Sequence, residues 1–321
     1  MIPHMKEKYS VGALLYSPAL NNKVSESVIS EKFPCPYSLA LCLEDTIADS
    51  RVEAAEIQLL QTLRTIHEAA GNQVFFMPKI FIRVRSSEQL RRLGQAMISD
   101  QQVCSGFIFP KYSLPNAKDY NQAIREVSDS WGRPVWMMPI LESRDIVNFA
   151  TRTEVLSELK ETIDSMKDFV LNVRVGGNDF SNEFAARRHY DETIYDILPI
   201  ARLLGDILTV FSREYVVSGP VWEFFSSDNE EWKTGLRHEL KLDRLNGFVG
   251  KTVIHPKQIP VVVDALKVSR KDYEDAKEIL NWDENGLQVG KSFAGERMNE
   301  VKTHTNWALK TMTLADIYGV V

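Results

Sequence analysis

Positive charge is outnumbered in this chain. Its 38 lysines and arginines face 44 aspartates and glutamates, and the formal charge of −6 leaves no electrostatic footprint for a nucleic-acid partner. Cysteine is scarce as well. Cys35, Cys42 and Cys104 have neither an even count nor zinc-ligand spacing, so no disulfide framework is implied and reduced thiols are expected. No apolar run approaches the roughly 20 residues of a membrane span. The apolar run near the N-terminus is too short for a signal peptide, so the expectation is a cytoplasmic protein without a membrane partner. Internal repeats, low-complexity segments and the P-loop, HExxH and GxSxG signatures are all missing. Nucleotide hydrolysis, zinc proteolysis and serine hydrolysis thereby lose their usual warrants.

What the chain does contain is a regular alternation of strand and helix. Its 321 residues, 44% hydrophobic and 26% charged, suffice for a full core. Period-two apolar runs predict strands at 11–16, 38–45, 79–86, 106–111, 134–142 and 168–175, a weaker one at 208–218, and one at 250–255. Helical periodicity predicts intervening helices. One follows a capping box at Ser50–Glu53 and another a cap at Ser86; later ones cover 144–166, 181–205 and 228–246, the last closed by Gly247. Eight such units argue for a (β/α)8 barrel over 1–266, and a helical extension over 267–321 carries helices starting at Ser269 and Met298.

The strand ends carry the chemistry. In such a barrel ligands bind at the carboxyl edge of the strands, and acids stand there: Glu44 and Asp45 after the second, Glu142 after the fifth, Asp179 after the sixth. Asp179 follows Gly176-Gly177, where the chain can turn sharply; it reads equally as a metal ligand or as a helix cap. Phase places Ala40, Cys42 and Glu44 inward on strand two, Phe81, Arg83 and Arg85 inward on strand three, and Trp136, Met138, Ile140 and Glu142 together on strand five. Two inward guanidiniums suit an anionic ligand or pair with neighbouring acids. Lys111 reads as a lysine snorkelling to solvent, and His255 as structural.

Taken together, LCLED (41–45), FIRVRS (81–86), GFIFPK (106–111), ILES (140–143), VGGNDF (175–180) and GFVGKTVIHPKQI (247–259) resemble the citrate lyase β-subunit-like branch of the HpcH/HpaI aldolase superfamily, in order and over nearly the whole chain. The resemblance implies a TIM barrel that cleaves or forms a carbon–carbon bond between a 2-oxo acid and an enolate, with Mg²⁺ at the strand ends. By that likeness Glu142 and Asp179 are the metal ligands and Arg83 holds the substrate carboxylate, with Gly176 and Gly177 also substrate-binding. Glu44 and Asp45 would support the site. The expected partner is a small 2-oxo or hydroxy acid, free or as a CoA thioester. The chain departs from the family pattern at Cys42, at Arg85, at Ser218-Gly219-Pro220, and at Met298-Asn299-Glu300, where by the resemblance Glu300 stands in place of an aspartate that reaches a neighbouring subunit's site and would be a catalytic acid or base there. The apolar content of the extension and the resemblance both imply a homo-oligomer, a trimer or hexamer. The alternative is a catalytically altered barrel kept as a small-acid-binding or assembly subunit.

Overall fold

Short strands, apolar on both faces, can exist only where helices cover one face and other strands fill the opposite one, and this chain builds that arrangement from parallel pairs. The structure is a computed structural model describing residues 5–34, 36–283 and 285–321; Cys35 lies outside the described residues, while Cys42 and Cys104 are free and buried. The strands are β1 (Ala13–Pro18), β2 (Ser38–Cys42), β3 (Lys79–Arg83), β4 (Gly106–Phe109), β5 (Trp136–Leu141), β6 (Val173–Val175), β7 (Val217–Ser218) and β8 (Lys251–Val253). They pair in the order β7-β6-β5-β4-β3-β2-β1-β8. A parallel bridge between Gly219 and Lys251 joins the two edges, so the sheet is a nearly closed eight-stranded barrel. Leu14, Ala40, Phe81, Ile108, Met138 and Leu171 fill its interior.

The strands stand where period two places them, usually trimmed to the paired residues. Strand six differs in kind. Met137 bridges Val170, whereas Ile140 pairs with Arg174, so three steps on β5 match four on the neighbouring chain. That extra residue is a β-bulge. It reverses the alternation, so that Leu171 joins the interior cluster and Arg174, three residues on, also lines the barrel cavity.

Several helix boundaries also depart from expectation. The predicted helix at 181–205 is two helices, Gly177–Glu183 and Leu198–Phe211; Ala185, at a φ of 49°, turns the chain out of the first, and Pro199 lies in the first turn of the second. The predicted strand at 208–218 shrinks to Val217–Ser218, because Leu204, Ile207, Leu208 and Phe211 form the buried stripe of the preceding helix. The helix at 144–166 is broken into Arg144–Val147 and Arg152–Asp164. The capping box at Ser50 does not form: a 3-10 turn, Asp49–Arg51, leads into the helix Val52–Asn72. Ser86 does cap its helix, accepting from Gln89 N, and Gly247 ends Glu231–Asn246 at a φ of 111°.

Val11–Val262 form one compact unit; the N-terminal segment to Ser10 and Val263–Val321 form another. In the second unit the helices Arg270–Leu280 and Val301–Tyr318 pack through Ala276, Ile279 and Ala308. The expected helix from Met298 begins only at Val301, because Met298–Glu300 (β10) pairs antiparallel with Val289–Lys291 (β9). Asp275 fastens that hairpin, accepting from Phe293 N at 2.6 Å, Arg297 Nη2 at 2.7 Å and Asn299 Nδ2 at 3.2 Å. Among the described residues no helix is long and apolar enough to cross a membrane.

Candidate active site

A cavity of about 230 Å³ opens at the carboxyl ends of the strands, lined among others by Asp45, Arg83, Glu142, Arg174, Gly176 and Asp179. Glu142 follows β5 directly and is buried. The Asp179 carboxyl faces it from the first turn of Gly177–Glu183, rather than from a strand end, closely enough for the two to repel. Burial, aggravated by Asp179 and opposed by Arg83, pushes the Glu142 carboxyl up to about 8. Gly176 makes room for this pair, since a Cβ there would collide with the Glu142 carboxyl. Gly177 is confined differently, with Pro220 and Ile194 where its Cβ would be.

Arg83 reaches three acids through one nitrogen. Its Nη2 lies 2.7 Å from Glu44 Oε2, 3.0 Å from Asp45 Oδ2 and 3.4 Å from Glu142 Oε1, while its Nε is buried without an acceptor. Lys111 does not simply snorkel to solvent. Its Nζ donates to Glu44 at 2.6 Å and to Asp45 at 3.1 Å, and its backbone N–H donates to Glu142 Oε1 at 2.9 Å. A left-handed φ of 49° at Lys111 accompanies that last bond, a conformation that non-glycine residues adopt at some cost. Partial burial opposes it, but hydrogen bonding with Glu44 and the Arg83 charge bring Asp45 down to about 2, and burial with the neighbouring Asp45 raises Glu44. Glu44 and Asp45 therefore hold the two cations beside Glu142.

Arg85 does not face inward as its phase suggested. It donates to Leu43 O at 2.7 Å and Ile47 O at 2.5 Å and pairs with Asp49, clamping the loop after β2, because β3 ends at Arg83 and the chain leaves the sheet there. Glu300 lies in the other unit, at the end of β10, where its backbone N–H donates to His304 Nδ1 at 2.9 Å. His255 is structural: its ring accepts from Lys257 N and stacks on Phe225 at 4.8 Å. Arg174 was hidden from the sequence pattern by the bulge; of the residues that join it in the cavity, Tyr16 carries no motif, and Thr252 lies within GFVGKTVIHPKQI without being singled out by it.

Beneath the rim, a buried ion cluster fastens β8 to its neighbours. Lys251 Nζ lies 2.8 Å from Glu239 and 2.7 Å from Asp243, Tyr195 OH donates to Asp243 at 2.7 Å, and Arg188 approaches Glu239 at 3.3 Å.

Among the described residues no three His, Cys, Asp or Glu side chains converge as a metal cage. Mg²⁺ does not require one, since it commonly takes one or two carboxylates and completes its octahedron with water and substrate. Two facing carboxylates, one of them pushed up to about 8 chiefly by burial and further by the charge of the other, are a donor set that a hard divalent cation would relieve.

Residues 5–320 match the family described as C-C_Bond_Lyase of the TIM-Barrel fold. Human mitochondrial citramalyl-CoA lyase is 23% identical over 87% of this chain and 77% of its own length. Among solved structures, protein CitE from Mycobacterium tuberculosis in complex with magnesium, acetoacetate and coenzyme A is 18% identical, with a TM-score of 0.61 over 96% of this chain and 99% of that one. RipC from Yersinia pestis is 14% identical, with a TM-score of 0.54 over 80% and 95%. With the barrel, its strand-end acids and a match over nearly its full length, the chain belongs to the TIM-barrel family of carbon–carbon bond lyases.

Proposed function

We propose that the protein is a Mg²⁺-dependent lyase that cleaves or forms the bond between a small 2-oxo acid and an enolate, the latter carried as a CoA thioester. The observation that carries this reading is the face-to-face Glu142 and Asp179 pair at the barrel's carboxyl edge. The magnesium, acetoacetate and coenzyme A of the mycobacterial structure and the citramalyl-CoA lyase activity named for the human relative support it. Glu142 and Asp179 would hold the cation, which when bound polarises the 2-oxo carbonyl and balances charge as the bond breaks. Arg83, fixed by Glu44 and Asp45 and with Nε still lacking an acceptor, would donate to the carboxylate of the acid and keep the reacting carbons aligned. Gly176 and Gly177 bring backbone rather than side chain to the cavity wall. Calorimetric titration tests the assignment: wild type binds Mg²⁺ and Glu142→Gln loses binding while its circular dichroism is unchanged. Equal Mg²⁺ affinity in the two proteins would remove Glu142 from the metal site.

The reading extends to assembly and place. A homo-oligomer, a trimer or hexamer in which the tail brings Glu300 to a neighbour's site, is supported by exposed apolar residues on the hairpin that carries Glu300. A cytoplasmic location is supported by the composition.

A further inference from the structure

Arg83 and Lys111 share the carboxylates of Glu44, Asp45 and Glu142, so the protein itself answers their charges. Arg174 is placed differently. It lines the same cavity and is 2% exposed, yet among the described residues it touches no carboxylate. Its Nη2 donates to Thr252 Oγ1 at 2.7 Å, the Tyr16 phenol faces it, and Nη1 is buried without an acceptor. A guanidinium taken out of water without a counter-charge is destabilising, and such a group persists where an anion arrives to pair with it. The backbone is shaped to present it: without the bulge before β6, Arg174 would fall on the face opposite Leu171 and turn toward the outer helices.

We propose that Arg174 binds a second carboxylate of the substrate and selects dicarboxylic over monocarboxylic 2-oxo or 2-hydroxy acids, an assignment that rests on the lyase reading only for the anchoring of the first carboxylate. Depth along the barrel fits this. Arg174 pairs with Ile140, two residues before Glu142, and two residues of strand span about 6.6 Å. An acid anchored beside Glu142 and Asp179 therefore directs its far end toward the layer that holds Arg174, Tyr16 and Thr252. The planar fork of the guanidinium, with Nη1 free, matches a carboxylate in geometry as well as in charge.

The test is calorimetry of the full-length protein with malate and with lactate, which differ by one carboxylate, each with Mg²⁺ and with a chelator. Wild type is expected to bind malate about tenfold or more tighter than lactate, the scale of a charge-assisted hydrogen bond. Arg174→Gln should bring malate to the level of lactate and leave lactate unchanged, and Arg174→Lys, which keeps the charge without the fork, should fall between them. The thermal midpoint of Arg174→Gln should stay at or above that of wild type, because no internal ion pair is lost. Equal affinities in wild type, a malate preference that survives in Arg174→Gln, or a lowered midpoint would each overturn the proposal. The two readings separate cleanly. If Mg²⁺ alters neither affinity while the malate preference is present and vanishes in Arg174→Gln, the metal reading fails and Arg174 stands; if Mg²⁺ tightens both acids equally with no preference, Arg174 fails and the metal reading stands.

Discussion

Gly176 and Gly177 are adjacent, yet they are confined by different neighbours. The space beside Gly176 is taken by the Glu142 carboxyl, and that beside Gly177 by Pro220 and Ile194. Each substitution to alanine overpacks the wall at a cost of about 1–3 kcal/mol. Only Gly176→Ala acts by displacing Glu142. Gly176→Ala is expected to weaken Mg²⁺ binding by about tenfold or more in calorimetry, an order-of-magnitude figure for loss of a charged ligand's alignment, whereas Gly177→Ala should lower the thermal midpoint with little change in Mg²⁺ affinity. Equal effects of the two on Mg²⁺ would sever Gly176 from the proposed metal site at Glu142 and Asp179. At this scale Glu142 was legible in the sequence because Trp136, Met138, Ile140 and Glu142 keep one unbroken phase on β5. Arg174 was not, because a bulge is set by the pairing with β5 and leaves no residue of its own in the sequence to announce it. Lys111 was misread for a similar reason: its carboxylate partners lie 66 and 67 positions back along the chain.

The elements show the same division between local and tertiary signals. Ser86 and Gly247 act through neighbours three or four residues away, and both behave as their sequence context predicts. The run from Leu203 to Phe211 satisfies both a strand and a helix pattern, and the buried stripe on the barrel decided for the helix. Lys251 belongs wholly to the tertiary kind. It was placed in a strand correctly, but its burial against Glu239 and Asp243 joins β8 to the helix Glu231–Asn246 and, through Tyr195 and Arg188, to the segment after β6. Lys251→Met leaves the buried Asp243 without its cation and Glu239 with Arg188 alone, and breaking a buried pair in this way costs about 3–5 kcal/mol. Denaturant unfolding should register that loss, and adding Asp243→Asn should recover part of it, since the orphaned charge is then removed. A stability within error of wild type for Lys251→Met would show that the cluster contributes no net pairing energy.

The whole molecule poses the question of what covers the hairpin of the tail. On β9 and β10, Gly290 and Asn299 pair with one another and Asn299 is buried against Asp275, so the alternate residues point the other way. Those residues include Val289, 44% exposed, and Met298, 56% exposed, and Leu287 and Phe293 beside the strands are 81% and 64% exposed. Glu300 pairs in register with Val289 and shares that outward face. An apolar face with one half-buried acid at its edge is suited to burial against a second copy of the chain, and burial would carry Glu300 into the contact. Sedimentation at micromolar concentration is expected to show a trimer or hexamer. The paired substitution Phe293→Ser and Met298→Ser should shift it toward monomer without lowering the thermal midpoint of the barrel. Glu300→Gln should leave the assembly intact and reduce turnover of substrate if the acid works in a neighbour's site. A monomeric wild type that turns over substrate would end the shared-site idea, and full activity in Glu300→Gln within an intact oligomer would reduce Glu300 to a bystander at the interface.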